Sequence, residues 1–372
     1  MANRVYLDAN ASEKLRPEAR AALLAALAAD ANPASVHAAG RGARAILEAA
    51  RDSLARRFGA HPGRVVFTSG GAEANALAIH ALGVGRRLVV SAIEHDSVLA
   101  AAPGAALLPV DANGVARLGA LPALLAEGPA LVCLMAANNE TGAIQPVAEA
   151  AAICREHGAL LHVDAIQAAG RIPLDLATLG AASLSLSGHK LGGPLGAGAL
   201  LFAADPPVRP LIPGGGQERG MRGGTPPLPA IAGMAAAAEV ASAEAESSGL
   251  APLRDEAARV ALACGAVVVA ANAPRLANTL CIALPGVAAA TQVMALDLAG
   301  IAVSAGAACS SGKVAASHVL AAMGLGALAG EAIRVSLSWG ATEADIAAFA
   351  SAYAAMAARA GRRAATPGAC AT

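Results

Sequence analysis

The sequence of 372 residues contains very few aromatic residues and very few lysines. Aromatic residues make up 2% of the chain, and lysine occurs only at positions 14, 190 and 313. Positive and negative side chains balance to a net charge of zero without a basic block, which argues against a nucleic-acid partner. The longest uncharged stretch, 276–296, is interrupted by polar residues, proline and glycine, so it does not favour a membrane span. No apolar signal core precedes the first strand-like residues, which predicts a cytoplasmic protein.

The six cysteines form neither a Cys-x-x-Cys pair nor a cluster with histidine at zinc spacing, so the sequence predicts neither a disulfide framework nor a metal site. Cys133 and Cys281 lie in apolar strand-like runs and Cys154 in a helical pattern, where a thiol is usually a core side chain. Cys309 differs, because the surrounding stretch 304–312 consists of small residues that cannot pack a core. We therefore expect Cys309 to lie on an accessible loop.

Short apolar runs in the first 205 residues predict seven buried strands, at 65–68, 88–91, 107–110, 131–135, 160–163, 183–186 and 198–202. Helical patterns are predicted at 17–29, 40–57, 72–82 and 146–157. This alternation predicts an α/β domain whose mostly parallel seven-stranded sheet is covered by helices on both faces. An alanine-rich helix over 227–246 is expected to lead out of it. From about 252 onward, helices and further apolar runs predict a smaller α+β domain.

Lys190 ends the segment Ser187-Gly188-His189-Lys190 and lies 26 positions after Asp164, which is at the end of a predicted strand. A lysine amine can form a Schiff base with the aldehyde of pyridoxal 5′-phosphate (PLP), and a buried carboxylate keeps the pyridine nitrogen of that cofactor protonated. The sequence therefore predicts a PLP enzyme, with Lys190 as the attachment residue and Asp164 at the ring nitrogen. For Lys190 taken alone, a solvated loop charge is the alternative.

The segment from Phe67 to Asn75 has the pattern of a strand that ends in a glycine turn and opens a helix. Free backbone N–H groups at the start of a helix favour a phosphate. Gly71 and Ala72 are therefore predicted to hold the cofactor phosphate, with Ser187 and His189 as side-chain donors. Taken alone, this pattern is equally compatible with an ordinary strand–helix turn.

These motifs, and others in the same order from Tyr6 to Leu337, resemble cysteine desulfurases of the NifS/IscS type, a group within the class V aminotransferases. The resemblance implies the PLP-dependent transferase fold, which is aspartate aminotransferase-like and of fold type I. It implies a large PLP-binding domain over 16–250 and a small domain formed by 1–15 and 251–372, which carries the cysteine loop. It also implies a homodimer with its active site between the domains.

The resemblance assigns roles to several further residues. His95, in Glu94-His95-Asp96-Ser97, is expected to stack on the pyridine ring and to relay protons. Asn139, in Asn138-Asn139-Glu140, is expected to contact the ring hydroxyl and the substrate carboxylate. Gln167 is expected to contact the same ring hydroxyl, although a polar residue at the start of a helix is an alternative for it.

Arg334 lies in a predicted final strand, where a charge needs a partner, and a guanidinium matches a carboxylate bidentately. By resemblance it binds the carboxylate of the amino-acid substrate, and a structural salt bridge is the alternative. Thr225 resembles the threonine that reaches across the dimer to the cofactor phosphate of the partner. The chain departs from the family pattern in two places: Ala72 replaces a usual Thr or Ser, and Thr225-Pro226-Pro227-Leu228 replaces Thr-Glu-Asn-Val.

The implied reaction converts L-cysteine to L-alanine, with Lys190 or His95 moving the α-proton. The thiolate of Cys309 takes the sulfur as a persulfide and passes it to an acceptor, either an iron-sulfur cluster scaffold or another sulfur carrier. Another class V aminotransferase or a selenocysteine lyase, in which Cys309 would be incidental, is one alternative. A catalytically inactive relative that serves as an interaction protein is another, and it rests on the two departures from the pattern.

Overall fold

A computed structural model of the chain describes residues 4–205, 209–306 and 316–364, with side chains described up to residue 360. Its strands are β1 (Val5–Tyr6), β2 (Val65–Thr68), β3 (Arg87–Ser91), β4 (Ala106–Leu108), β5 (Ala130–Met135), β6 (Leu160–Asp164), β7 (Ser183–Ser187), β8 (Gly198–Phe202), β9 (Val267–Val268), β10 (Thr279–Ala283), β11 (Ile301–Ala302), β12 (Ser304–Ala305) and β13 (Ala332–Ser336). Its α-helices are α1 (Pro17–Leu27), α2 (Ala38–Arg57), α3 (Gly71–Leu82), α4 (Asp96–Ala101), α5 (Leu121–Leu125), α6 (Val147–Glu156), α7 (Leu176–Leu179), α8 (Leu228–Val240), α9 (Ala243–Ala263), α10 (Ala289–Leu298), α11 (His318–Ala322) and α12 (Glu343–Ala364).

The largest sheet has seven strands in the order β2-β8-β7-β6-β5-β3-β4. The strands from β7 to β4 are parallel to one another, whereas β8 runs antiparallel to both of its neighbours. Each predicted run coincides with a strand to within two residues, so the predicted mostly parallel seven-stranded sheet is confirmed.

Residues of the sheet alternate between two apolar layers, as the pleat of a strand requires. Val65 packs in one layer with Leu134, whereas its neighbour Val66 packs in the other layer with Cys133. Helices α2, α6 and α8 contribute to the first layer and α3 to the second, so both faces of the sheet are covered. This two-sided burial explains why the strands have continuous apolar sequences.

The predicted helix over 227–246 is wrong in one respect, because the chain forms two helices there. Ala241 has an extended backbone conformation (φ −67°, ψ 113°) and ends α8. Ser242 then caps α9 by accepting a hydrogen bond from the Ala245 backbone N–H at 3.4 Å. The new helix continues to Ala263, past the boundary predicted near residue 250. No helix in the described ranges combines the length and the apolar character that a membrane crossing requires.

The C-terminal part of the chain forms an antiparallel sheet in the order β12-β13-β10-β9. Its apolar core contains Ile333 of β13, Phe349 and Tyr353 of α12, and also Leu7 from the N-terminal segment. Strand β1 pairs in parallel with β11, which brings Val5 beside Ile301. The N-terminal segment therefore packs on the C-terminal part, while the division of the chain into domains stays a prediction.

Candidate active site

The carboxyl ends of parallel strands meet at one edge of a sheet, which is where α/β proteins bind ligands. A cavity of about 380 Å³ opens at this edge, next to the ends of β5, β6 and β7. The residues predicted from the sequence that line it are Gly71, Ala72, His95, Asn139, Asp164, Gln167, Ser187, His189, Lys190 and Arg334. The fold thus brings together in one cavity residues that lie up to 263 positions apart in the sequence, from Gly71 to Arg334.

Lys190 lies in a short 3₁₀ turn, Gly188–Lys190, directly after β7. Its amine donates hydrogen bonds to the backbone carbonyls of Asn10 and, at 2.8 Å, of Ala11. Burial lowers the pKa of this amine to about 8, and the nearby guanidinium of Arg334 acts in the same direction. A solvated loop charge therefore does not describe Lys190, because its amine is held by carbonyl groups in the cavity and can lose its proton close to neutral pH.

Asp164 is the last residue of β6 and is buried. Its Oδ2 accepts a hydrogen bond from Asn75 Nδ2 at 2.7 Å, and its Oδ1 accepts one from the Ile166 backbone N–H at 2.9 Å. Burial raises the pKa of the Asp164 carboxyl above its ordinary value, and these two hydrogen bonds act in the opposite direction. Together they fix the carboxyl group in one orientation at the cavity.

The start of α3 and the end of β7 form a cradle for an anion. A Cβ atom at Gly71 would meet the end of the Ile166 side chain and lie 3.3 Å from Ser187 Cβ, so the start of α3 approaches the end of β7 closely at this point. Ser187 Oγ and His189 Nδ1 are buried atoms without a hydrogen-bond partner in the described part of the chain. Burial lowers the pKa of His189 to about 4, so its ring is neutral at physiological pH. Polar atoms of this kind, next to the free N–H groups of a helix, suit a phosphate.

His95 precedes α4, and its side chain caps that helix. Its Nδ1 accepts a hydrogen bond from the Ser97 backbone N–H at 3.1 Å and lies 2.9 Å from Ser97 Oγ. Because a backbone N–H can only donate, Nδ1 carries no proton in the neutral ring, and the proton is on Nε2. The tautomer of His95 is therefore fixed by the start of α4.

The two asparagines after β5 have different environments. Asn138 is buried, and its Oδ1 accepts hydrogen bonds from the backbone N–H groups of Glu140 and Thr141, each at 2.9 Å. Asn139 lines the cavity, and its backbone carbonyl accepts hydrogen bonds from Asn10 Nδ2 and Arg334 Nη1, each at 3.1 Å. The first asparagine shapes the turn, and the second is available to a ligand.

Gln167 lies in a turn after β6 and not at the start of a helix. Its Oε1 accepts a hydrogen bond from Arg171 Nη1 at 2.5 Å, and its Nε2 donates one to the Asn10 carbonyl at 3.0 Å. The guanidinium of Arg171 is also 3.7 Å from Glu13 Oε2. Gln167 is thus positioned by the same N-terminal segment that receives the Lys190 amine.

Arg334 forms a structural salt bridge, which was the alternative to substrate binding, and it also lines the cavity. Its Nη2 lies 2.7 Å from Asp8 Oδ1, while its Nε is buried without a partner in the described residues. A guanidinium with N–H groups still free at a cavity wall can bind a carboxylate. The ion pair with Asp8 therefore orients Arg334 and does not remove it from the site.

Thr225 is exposed and does not line the cavity of its own chain. The loop before it is attached to the start of α3, because Arg222 Nε lies 2.8 Å from Glu73 Oε1. Cys309 lies outside the described residues, as do Lys313 and Cys370. Gly306, three positions before Cys309, lines the cavity.

Several buried cysteines are poor nucleophiles. Cys133, Cys154 and Cys281 are buried, as predicted from their apolar surroundings. Burial raises the pKa of the Cys154 thiol to about 11 and that of Cys281 to about 12, and it raises that of Cys133 well above its ordinary value. These thiols stay protonated at neutral pH, and a protonated thiol does not attack sulfur.

Several residues of the site were given no role from the sequence, among them Asn10, Asn75 and His318. Asn10 and His318 line the cavity, and Asn75 binds Asp164 beneath it. Asn75 carried a signal, because it lies one helical turn after Gly71 in the predicted helix and so on the same face. Asn10 and His318 carried none, since pairing between distant segments brings both to the cavity.

Comparison with known proteins places the chain in a defined group. The class-V aminotransferase family matches residues 5–349. A cysteine desulfurase of Cereibacter sphaeroides is 42% identical over 360 residues, which cover 92% of this chain and 93% of that protein. An IscS-like cysteine desulfurase of Mycobacterium tuberculosis is 39% identical over 365 residues, covering 92% and 93%. The X-ray structure of a NifS-like protein from Rickettsia africae superposes with a TM-score of 0.89 at 32% identity, covering 95% of this chain and 99% of that chain.

These matches extend over nearly the whole length of the chain and of its relatives, and they agree with a cavity in which a lysine, a buried aspartate and an arginine meet at the edge of the sheet. The chain belongs to the class-V aminotransferase family and, within it, to the cysteine desulfurases.

Proposed function

We propose that this protein converts L-cysteine to L-alanine and captures the sulfur as a persulfide on Cys309. The observation that carries the proposal is the cavity itself, because Lys190, Asp164 and Arg334 line it together and the segment leading to Cys309 begins on its wall at Gly306. The names of the relatives support the same activity. The separate roles follow from the contacts of each side chain.

The residues of the cavity fit PLP as the cofactor. The buried unpartnered atoms of Ser187 and His189, next to the start of α3, suit its phosphate. Asp164 suits its ring nitrogen, and Lys190 suits its aldehyde. Asn139 and Gln167 line the same cavity and could contact the ring hydroxyl, and His95 the ring face. When bound, PLP supplies an electron-accepting ring that stabilises negative charge at the α-carbon of an amino acid.

Arg334 is the residue that we assign to the substrate carboxylate. Asp8 and the Asn139 carbonyl hold its two terminal nitrogens, so the plane of the guanidinium is fixed before a substrate arrives. A fixed guanidinium loses little side-chain entropy when it binds a carboxylate, which favours both affinity and orientation. We assign the side chain of Asn139, whose backbone carbonyl holds Arg334, to the same carboxylate.

Lys190 is better suited than His95 to remove the α-proton. With a pKa of about 8, its amine is partly neutral near physiological pH and can accept a proton at Nζ. In neutral His95 the Ser97 backbone N–H occupies Nδ1, so Nε2 carries the proton and can donate but not accept it. We therefore assign proton removal to Lys190 and proton donation to His95.

Cys309 is the thiol that we assign to sulfur capture. It is three residues from Gly306 on the cavity wall, so its Cα atom is within about 11 Å of that point. Its thiolate attacks the sulfur of the substrate and forms a sulfur–sulfur bond, while the carbon–sulfur bond of the substrate breaks. The electron pair of that bond stays with the β-carbon, which takes up a proton, and the three-carbon skeleton leaves as alanine. The acceptor that takes the sulfur from Cys309 is either an iron-sulfur cluster scaffold or another sulfur carrier.

We further propose a homodimer in which Thr225 contacts the cofactor phosphate of the partner. Thr225 is exposed in the single chain, and the Arg222–Glu73 ion pair attaches its loop near the phosphate cradle. Mixed dimers test this sharing. Combining a Lys190→Ala subunit with a Thr225→Val subunit should restore one site without either substitution, and no recovery in verified mixed dimers would count against it.

Sulfur capture is tested by mass spectrometry after one turnover with L-cysteine. We expect one added sulfur atom on the peptide that contains Cys309, together with stoichiometric alanine. Cys309→Ser should abolish sulfur release, because an alcohol offers negligible anion at neutral pH. Cys264→Ser, which alters a partly exposed cysteine outside the cavity, should leave turnover unchanged. Sulfur on another cysteine, undiminished alanine in Cys309→Ser, or transamination products in place of alanine would refute the proposal.

A further inference from the structure

One buried carboxamide connects two residues of the cavity. Asn75 is fully buried in α3, and its Nδ2 donates hydrogen bonds to Asp164 Oδ2 at 2.7 Å and to Ser97 Oγ at 3.0 Å. Ser97 Oγ in turn lies 2.9 Å from His95 Nδ1. Both hydrogens of one amide nitrogen are thus used, one on Asp164 itself and one on the serine that binds His95.

The oxygen of the same carboxamide faces away from the cavity. Asn75 Oδ1 lies 3.2 Å from His162 Nε2, and His162 Nδ1 lies 2.8 Å from Ser183 Oγ. Ser185 Oγ is also near Nε2, at 3.4 Å. His162 is completely buried, and burial lowers its pKa to about 3, so its ring is neutral and carries a single proton.

The polarity of these hydrogen bonds depends on the charge of Asp164. A charged carboxylate can only accept hydrogen bonds, so the amide nitrogen of Asn75 must face it. The amide oxygen then faces His162, which must place its proton on Nε2 and accept at Nδ1 from the Ser183 hydroxyl. If a group at the position of Asp164 Oδ2 donated a hydrogen bond to Asn75, each hydrogen bond from there through His162 to Ser183 would reverse its direction.

We propose that Asn75 is a positioning residue that locks Asp164 and His95 in a fixed relation to each other and couples the charge of Asp164 to the tautomer of His162. Asn75 and the Ile166 backbone N–H hold one carboxylate oxygen each, so Asp164 cannot rotate away from the cavity. The inference rests on the proposed function only for the role of Asp164 toward a cofactor. The buried chain of hydrogen bonds does not depend on the activity.

The tautomer of His162 is measured by nuclear magnetic resonance on the purified protein labelled with ¹⁵N- and ¹³C-histidine. Its signal is identified by its absence from a His162→Asn variant. We expect the Nε2–H form in the unaltered protein at neutral pH. The Nδ1–H form there would overturn the proposal, and this measurement requires no variant other than the one used for assignment.

Asp164→Asn provides the second test. The new amide can accept the hydrogen bond from the Ile166 N–H with its oxygen and donate one to Asn75 with its nitrogen. The carboxamide of Asn75 would then rotate, so that its oxygen faces residue 164 and its nitrogen faces His162. We expect His162 to change to the Nδ1–H form and to donate to Ser183. The same substitution in an Asn75→Leu background should not change the tautomer, because the link is missing. An unchanged tautomer in Asp164→Asn alone would overturn the proposal.

Ser97→Ala is the matched control, since it removes the other acceptor of the Asn75 amide nitrogen and leaves the path to His162 intact. It should leave the tautomer of His162 unchanged, and a change there would contradict the proposed route. None of these measurements uses turnover. An inactive protein with the expected tautomers would therefore count against the proposed function alone, and an active protein with the Nδ1–H form would count against the coupling alone.

Discussion

The chain builds the two walls of the cavity in different ways. The sheet wall consists of residues at or just after the ends of β5, β6 and β7, among them Asp164 and Lys190. The terminal wall consists of Asn10, Ala11 and Arg334 of β13, and an ion pair of 2.7 Å joins Arg334 to Asp8, which lies 326 positions away in the sequence. The walls meet where the Lys190 amine donates to the carbonyl of Ala11. Local sequence therefore places the groups that we propose for cofactor chemistry, and long-range pairing places those that we propose for the substrate.

The largest expected effect is on the sheet wall, at Lys190. Lys190→Ala should lower turnover of L-cysteine by about 10⁴-fold or more, because it removes the amine that we propose both for cofactor attachment and for removal of the α-proton. Alanine formation is the measurement. Lys14→Ala is the matched control, since Lys14 is an exposed lysine close to the same segment, and it should retain full turnover. Comparable activity in the two variants would show that a group other than Lys190 removes the α-proton.

The next effect is on the terminal wall, at its ion pair. Arg334→Lys should lower kcat/KM for L-cysteine, since an ammonium cannot reproduce the fixed guanidinium. The expected loss of transition-state stabilisation is about 2 to 5 kcal/mol. Asp8→Asn should have a smaller effect, because it leaves the guanidinium in place but less firmly oriented. Since the two side chains are in contact, a double-mutant cycle should give a coupling energy of about 0.5 to 3 kcal/mol.

The same cycle decides between the two roles of Arg334. If the arginine served the fold alone, both substitutions would lower the free energy of unfolding and leave the KM for L-cysteine unchanged. We expect the opposite pattern, with a raised KM and a smaller change in stability. Additive effects of Arg334→Lys and Asp8→Asn on kcat/KM would contradict the orienting role of Asp8.

The difference between the walls also explains how much the sequence could predict. Strand-end residues such as Asp164 were placed correctly because the apolar run that precedes them marks the strand, and parallel strands bring such ends together. Asn10 was not found, since its place follows from the pairing of β1 with β11, two strands of two residues each with no periodic pattern. The break between α8 and α9 was missed because alanine favours a helix throughout, and a single capping serine decided where the second helix begins.

A third effect is on stability, and it arises where the walls meet. The pKa of Lys190 is about 8 in the folded cofactor-free protein against 10.5 for an ordinary lysine, so the unfolded chain binds more protons between these values. The free energy of unfolding of the unaltered protein, relative to Lys190→Met, should therefore rise with pH over this range, by about 3 kcal/mol in all. Denaturant unfolding of both proteins at pH 7 and pH 10.5 measures it. A constant difference would show that the amine is not desolvated.

The smallest effect concerns the sheet wall alone, at Ser187. Its hydroxyl is buried without a partner in the described residues, so removing it should not destabilise the cofactor-free protein and could stabilise it by about 1 kcal/mol. Ser187→Ala should at the same time weaken PLP binding by about tenfold, which corresponds to the loss of one hydrogen bond to a charged phosphate.

Ser185→Ala, two residues earlier on the same buried strand, is the control, because that hydroxyl faces His162 and not the cavity. It should leave PLP affinity unchanged. Cofactor titration and thermal unfolding of both variants measure the two quantities. In Ser187→Ala alone, we expect PLP affinity to fall while stability is kept or rises, because the fold leaves this hydroxyl unpaired for a ligand. A loss of stability without a loss of PLP affinity would contradict that assignment.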